Sequence, residues 1–321
     1  MNAPLILGSG PAGIAVALCC REIGLSPLVV DSAADGHGQA LGGMIVRSRW
    51  PAIWTPWADD QSGEEIGRGL ADRFRRSGIP HRVDEALSLD YARHRVALRH
   101  GGETPYEALV IATGAAFRRS DAPGASEAEA AGWLLQRPPL LPEPASPPGG
   151  TVLIVGGGNN AFSTAVTEAK EGHAGRVIIA VRGTHPKVRA QILEEAAAQP
   201  NIVLRTGWEV AEFLPDHAIR FNTPDGERIE RCNLAYANLG YVPRSAFAAG
   251  QVHRTGEGYI EVDSSHRTSA PDVWAVGEVV GPKAPSVLTV MGHAPAVAEA
   301  ISAALMKKEE TERLLEKMRK R

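Results

Sequence analysis

Cysteine is scarce. Three stand in 321 residues, at Cys19, Cys20 and Cys232, too few and wrongly spaced for a disulfide framework or a thiolate metal set. Cys19 and Cys20 are adjacent in a helix-forming stretch, so they point in different directions and read as small buried side chains. Long apolar runs are lacking as well: the stretch from Ala12 to Cys20 is broken by Arg21 and Glu22, short of a membrane span. The first apolar strand begins so close to Met1 that no secretory leader is expected. Charge of one sign is not concentrated, for the formal net charge is −3 and the basic residues are scattered, which argues against a nucleic-acid groove. These absences predict a soluble, cytoplasmic protein with no metal, membrane or nucleic-acid partner. The length suits two domains rather than one core.

What is present begins at Leu5-Ile6-Leu7-Gly8-Ser9-Gly10-Pro11-Ala12-Gly13. An apolar run stops at a glycine and gives way to helix formers, so the pattern predicts a buried strand, a tight turn and a helix start. The glycines fall at G-x-G-x-x-G spacing: Gly8 permits the turn, Gly10 lets a pyrophosphate approach, and Gly13 lets the helix pack close to the strand. The helix start offers unpaired N–H groups and a positive dipole end to phosphate. A second apolar run, Leu28 to Val30, ends in Asp31, at the distance where an acid holds a ribose hydroxyl. The pair Gly42-Gly43, followed by Met44, allows backbone to lie against a flat ligand or supplies positive φ to a loop; spacing alone leaves both open. Residues 49–57 hold Trp50, Trp54 and Trp57 among prolines, a rigid wall for a pocket or a core. Helical periodicity covers Ser62 to Ser77, with Ser62 and Glu65 as a capping box. Short alternating segments from His81 to His100 predict a β-meander, and Ala108 to Gly114 another buried strand.

A proline-dense stretch from Pro138 to Gly150 reads as an extended connector, and after it the opening pattern returns. Val152 to Val155 leads into Gly156-Gly157-Gly158-Asn159-Asn160-Ala161, a G-x-G-x-x-A turn, and a helix to about Gly172. Two such units in one chain are far less expected by chance than one. The second unit's next strand, Arg176 to Val181, ends in Arg182, with His185, Lys187 and Arg189 nearby. A basic residue where Asp31 was acidic favours a 2′-phosphate, hence NADPH over NADH; a solvated basic loop is the bland alternative. The chain then runs through strands and turns to the stretch Leu234 to Gly240. Tyr241 to Pro243 follows as a crossover, Tyr259 to Val262 reads as a strand, and Val273 to Glu278 as a strand ending in glycine and acid. A turn and a long Ala-rich helix follow from Ser286, with a charged helical tail.

Taken in order, Gly8–Gly13, Gly42-Gly43, Ala112-Thr113-Gly114-Ala115, Gly156–Ala161 and Arg267–Glu278 resemble the low-molecular-weight thioredoxin reductase family over essentially the whole chain. The resemblance implies an α/β fold of two Rossmann-like dinucleotide-binding domains, each a three-layer sandwich. An FAD domain would comprise residues 1–116 and 244–321, with an NAD(P) domain, residues 117–243, inserted between. It implies FAD contacts at Gly8, Gly10, Gly13, Asp31, Gly43, Thr113, Gly114, Gly277 and Glu278, with Pro11, Ala12, Gly42 and Met44 beside them. It implies NADPH contacts, with NADH possible, at Gly156, Gly158, Asn159, Asn160, Ala161, Arg182 and Arg189. A homodimer is implied too. By the same analogy, a helix start near Met291 to Ala294 would stabilise negative charge on reduced flavin, with His293 adding a proton or a positive charge, or merely capping the helix.

The departures bear on function. Such reductases carry a Cys-x-x-Cys dithiol before the second glycine turn, and the corresponding stretch, Ala130 to Pro138, has no cysteine. Without two thiols, electrons cannot be relayed to a protein disulfide by exchange. Glu278 stands where the family has Asp on the ribityl chain, one methylene longer with the acceptor kept. The expectation is therefore an NAD(P)H-linked FAD oxidoreductase with a small-molecule substrate or an external electron acceptor. Alternatives are a flavin oxidase or dehydrogenase of a small molecule with a vestigial NADP site and Trp50, Trp54 and Trp57 lining its pocket, a ferredoxin- or flavodoxin-NADP reductase, and a non-catalytic flavin-binding partner. The ferredoxin-type reductases add an aromatic C-terminal segment, which the tail after Ala304 lacks.

Overall fold

The computed structural model describes residues 3–32, 41–48, 61–138, 148–170, 174–281, 283 and 286–319. The chain divides into two compact units: Met1–Ala116 with Pro243–Arg321, and Phe117–Val242.

In the first unit five parallel strands run in the order Val273–Ala275, Leu109–Ile111, Leu5–Leu7, Leu28–Asp31 and His81–Val83. Their continuous apolar runs follow from burial on both faces. Ile6, Val29, Val110 and Trp274 point into one core, filled by Ile14 and Val16 of the helix Pro11–Glu22, Phe74 of Gly63–Ser77, and Val297 and Ile301 of Ala294–Arg319. Leu5, Leu7, Val30, Leu109 and Ile111 point the other way, onto Leu89, Val96 and Leu98 of an antiparallel sheet, Ala86–Asp90, Arg95–Leu98 and Gly102–Pro105. The result is a three-layer α/β unit. Because the chain steps from Leu5–Leu7 first to one side of the sheet and later to the other, its switch point lies at the carboxyl end of that strand, where such folds bind ligands.

The second unit repeats the arrangement, with parallel strands in the order Ile202–Thr206, Ala174–Val181, Gly150–Val155, Leu234–Ala237 and Leu134–Leu135. Val152, Ile154, Val177 and Ile179 pack on Phe162 of the helix Asn159–Lys170. Leu153 and Ile178 pack on Phe213, Ile219 and Phe221 of an antiparallel sheet, Glu209–Leu214, Ala218–Thr223 and Gly226–Arg231.

The capping box is present: Ser62 Oγ accepts from Glu65 N at 3.2 Å and the Glu65 carboxylate accepts from Ser62 N at 2.8 Å. Three expectations need correction. His81–Val83 joins the parallel sheet beside Leu28–Asp31, and the meander starts only at Ala86. The segment Tyr259 to Val262 forms a single bridge, Ile260 to Arg254. That bridge is held by Thr255 N donating to Tyr259 O at 2.8 Å and Glu261 N to His253 O at 3.0 Å. Ile260 N donates to Val279 O, so the alternation there reflects one buried residue, Ile260, and no longer ladder. Finally, Val287–Met306 is long and apolar enough to cross a membrane by length and composition. Its Val290, Ala294, Val297, Ile301 and Leu305 are buried in the first unit's core, the three- and four-residue spacing of a core-facing helix.

The tightest local constraint is Gly8, whose φ is +111° and where a Cβ would lie 2.2 Å from the Ala112 carbonyl oxygen. Gly8→Ala combines backbone strain with overpacking and is expected to cost about 3–5 kcal/mol. The urea midpoint of the purified variant measures this; a midpoint within error of the parent's rules the constraint out.

Candidate functional site

The first glycine turn separates three roles. A Cβ on Gly13 would lie 2.0 Å from the Gly8 carbonyl oxygen, so Gly13 is required for the helix to begin where it does. Gly10 is different. Its backbone is ordinary, φ −71° and ψ −177°, and a Cβ there would meet only Gly43 Cα, at 3.9 Å. Among the described residues, neither conformation nor packing demands glycine at this position. Gly10 caps the helix with no side-chain bond, and Pro11 occupies its first turn. The N–H groups of Ala12 and Gly13 are therefore presented at a positive helix end.

Around this start the chain gathers segments distant in sequence. Gly42 N donates to the Ser9 carbonyl at 2.8 Å. Gly42 and Gly43 have φ of +94° and +63°, and a Cβ on Gly43 would press within 2.8 Å of Gly10 Cα. The paired glycines are thus explained by positive φ and close backbone approach, with Met44 in the 3-10 turn Gly43–Arg47. Gly277, φ +81°, lies against Ala12, to whose Cβ an added Cβ would come within 3.0 Å. That contact brings Glu278 to the same helix end. Burial raises the Glu278 carboxyl above its usual range, and the side chain has no hydrogen-bond partner among the described residues.

Asp31 accepts from Ser9 N at 2.8 Å and Ser9 Oγ at 2.5 Å, both through Oδ2. Burial pushes its pKa up, against the opposing effect of the Ser9 bonds and of the nearby charges of His81 and Arg244. Arg244 is tied in by its backbone: Thr113 Oγ1 donates to the Arg244 carbonyl at 2.6 Å, and Arg244 N donates to Gly114 O at 2.9 Å. Ser9, His81 and Arg244 were missed in sequence, as was Val83, the strand partner of Asp31, whose apolar side chain is 59% exposed. Ser9 alone left a signal, as the polar residue between two fingerprint glycines. Trp50, Trp54 and Trp57 lie outside the described residues.

His293 falls at the break between the short helix Val287–Gly292, capped by Ser286 through a 3.1 Å bond from Thr289 N, and the long helix Ala294–Arg319. Its ring lies 4.1 Å from that of His266, at 35°, and neither Nδ1 atom has a partner. Burial and the neighbouring His266 both hold the His293 pKa below the usual histidine value.

In the second unit, Gly156 (φ +145°) would collide through a Cβ with the Asn238 carbonyl at 2.3 Å, while a Cβ on Gly158 would meet nothing within 4 Å. Gly158 matches Gly10 in having no close contact among the described residues that demands glycine. Asn159 Oδ1 accepts from Arg189 N at 3.0 Å, and Asn160 Nδ2 donates to the Tyr241 hydroxyl at 2.8 Å. These side chains are committed to the fold, which leaves their backbone N–H groups at the helix start. Ala161 is fully buried. Arg182 is 81% exposed and sits 3.8 Å from Glu209.

The stretch Ala130 to Pro138 is closed within its own unit. Trp133 is buried and stacks on His217 at 5.3 Å. Gln136 accepts from Ser120 N at 2.6 Å and donates to Glu129 at 3.1 Å. Burial pushes the thiols of Cys20 and Cys232 up to about 12, and that of Cys19 upward too.

Residues 3–304 match the family model described as pyridine nucleotide-disulphide oxidoreductase. The chain belongs to that family. It is 26% identical over 286 residues to a thioredoxin reductase of Chlamydia trachomatis, covering 86% of this chain and 89% of that protein. In fold it is similar to the Lactococcus lactis thioredoxin reductase, with a TM-score of 0.85 at 19% identity over 95% of this chain and 99% of that one. The T. acidophilum thioredoxin reductase gives 0.80 at 19% identity over 95% and 100%. As a pyridine nucleotide-disulphide oxidoreductase the chain is an FAD-dependent enzyme that also uses a pyridine nucleotide. The vacant Cβ positions at Gly10 and Gly158, each at a helix start, and the unpartnered Glu278 carboxyl fit that pair of groups.

Two outcomes check these assignments. Gly10→Ala should leave the flavin-free protein as stable as the parent or firmer by about 0.4–1 kcal/mol, yet retain less FAD through gel filtration; unchanged flavin content would mean the space is not the ligand's. For the histidine pair, folded pKa values below the unfolded ones mean the unfolded chain binds more protons as pH falls below about 6.5. Stability is present above that pH and declines beneath it. Urea midpoints between pH 7.5 and 5 should fall in the parent and flatten in His266→Gln or His293→Gln, with His81, also held low by burial, sustaining part of the slope.

Proposed function

We propose that this chain passes electrons between a nicotinamide nucleotide and a small-molecule substrate or an external acceptor, with no cysteine relay. The observation that carries the reading is a contrast. Among the described residues, Gly10 and Gly158 each leave room that no close protein contact fills, while the thiols are few and burial raises the pKa of each, that of Cys20 and Cys232 to about 12. A raised pKa lowers the thiolate fraction, which works against thiol–disulfide exchange.

Bound FAD supplies hydride acceptance from NADPH and onward release of electrons. In the first unit Gly10 leaves room for the FAD pyrophosphate, which the N–H groups behind Pro11 and Ala12 receive. Asp31 holds the adenosine ribose through Oδ1, since Ser9 occupies Oδ2, and Val83 offers an apolar lip beside it. Glu278 accepts from a ribityl hydroxyl, which supplies the partner its carboxyl lacks. Thr113 and Gly114 steady the same site through Arg244. His293 adds a proton or a positive charge beside the reduced flavin. In the second unit Gly158 and the backbone of Asn159, Asn160 and Ala161 take the NADPH pyrophosphate, and Arg182 and Arg189 face the 2′-phosphate. A cytoplasmic homodimer completes the reading. The relatives' name describes a reaction that needs a dithiol, which this chain does not have.

Stopped-flow mixing with NADPH under anaerobic conditions should bleach the flavin of the purified protein. Coupled assays with thioredoxin should show no turnover, in the parent or in a variant with all three cysteines changed to serine. Thioredoxin turnover by the parent that vanishes in that variant would overturn the reading.

A further inference from the structure

The basic loop after Val181 is not composed of cations alone. The parallel strands Ala174–Val181 and Ile202–Thr206 end side by side, with Val181 opposite Thr206. The chain then doubles back under the loop: Gly207 N donates to Gly183 O at 3.1 Å and Trp208 N to Val181 O at 3.0 Å. This strap delivers the Glu209 carboxylate to Arg182, Oε1 to Nη1 at 3.8 Å. Its position is built rather than casual. Glu209 opens the strand Glu209–Leu214, fixed in register opposite Asn222. The preceding Trp208 is wedged against Phe221 at 5.2 Å, with the Arg205 guanidinium 5.8 Å over its ring.

This placement has opposite consequences for the two nucleotides. The 2′-phosphate of NADPH carries up to two negative charges, so it competes with Glu209 for Arg182 and is repelled by that carboxylate. The 2′-hydroxyl of NADH carries no charge, and a carboxylate is a ready acceptor for it. We propose that Glu209 is a specificity-determining residue that, by holding Arg182, lowers the preference for 2′-phosphorylated nucleotides and keeps NADH acceptable. The proposal rests on the reading of Arg182 as a 2′-phosphate contact.

Equilibrium calorimetry with 2′,5′-ADP and 5′-AMP tests it on the purified flavoprotein, because the two probes differ at the 2′ position and need no turnover. Glu209→Gln should tighten 2′,5′-ADP by about three- to ten-fold, the scale of removing one exposed charge beside a phosphate. The 5′-AMP affinity should change less than about two-fold on the same scale. The gain should disappear in Arg182→Ala/Glu209→Gln and shrink as salt is raised. Equal binding of 2′,5′-ADP by parent and Glu209→Gln overturns the proposal while leaving the nucleotide site standing, as does a gain that persists without Arg182. If neither probe binds any of the proteins, the nucleotide reading of the second unit fails, and the proposal with it.

Discussion

The contact on which the first unit depends is the approach of the Gly13 Cα to the Gly8 carbonyl, so close that a Cβ would sit 2.0 Å from the oxygen. It fixes where the helix Pro11–Glu22 starts and how near it lies to the strand Leu5–Leu7. Once the helix is seated, Ser9 is trapped in the turn with its N–H and hydroxyl aimed at Asp31 and its carbonyl at Gly42. Gly277 can then rest on Ala12. The segments around Gly42 and Gly277, distant in sequence, are thus positioned by one steric allowance. Hydrogen bonds of ordinary strength hold them there because the backbone has already paid the ordering entropy.

The second unit reaches the same layout with a looser joint. Its final fingerprint position is Ala161, whose methyl is accommodated 3.3 Å from where a Cβ on Gly156 would stand. Close glycine contact is replaced by side-chain ties between helix and sheet. The Tyr236 hydroxyl donates to Glu168 at 2.8 Å and Asn238 Nδ2 to Thr164 Oγ1 at 3.0 Å, both buried. Steric closure in one unit and hydrogen bonding in the other solve the same problem, which is to aim an unpaired helix start past the carboxyl end of a strand.

This difference also explains what could be read before any coordinates. The strand–glycine–helix units were legible because their constraints are local: a carbonyl a few residues away demands glycine, and a continuous apolar run demands burial on both faces. The Ser62 and Glu65 box was legible for the same reason. Ser9, His81, Arg244 and the His266–His293 pair were not, since each acquires its meaning from a partner brought near only by the sheet order. Tyr259 to Val262 misled because alternation reports burial, and one buried residue on an irregular segment gives the same pattern as a short strand. The apolar stretch of Val287–Met306 was overlooked because its core-facing residues are separated by small or polar ones, which breaks any run while preserving the helical stripe.

The same physics bears on how electrons leave the protein. A dithiol relay needs an exposed, low-pKa thiol and a second thiol beside it. In place of such a pair, the stretch before the second turn has Trp133 stacked on His217, Leu134 in the sheet, and Gln136 bonded at both ends of its amide. Inserting cysteines there would break buried packing and remove the Gln136 amide from Ser120 N and Glu129. Trp133, Leu134 and Gln136 of this stretch are buried within the second unit. On the proposed reading, which lacks a thiol exit, the acceptor is one that reaches the reduced cofactor directly, a small molecule or a carrier.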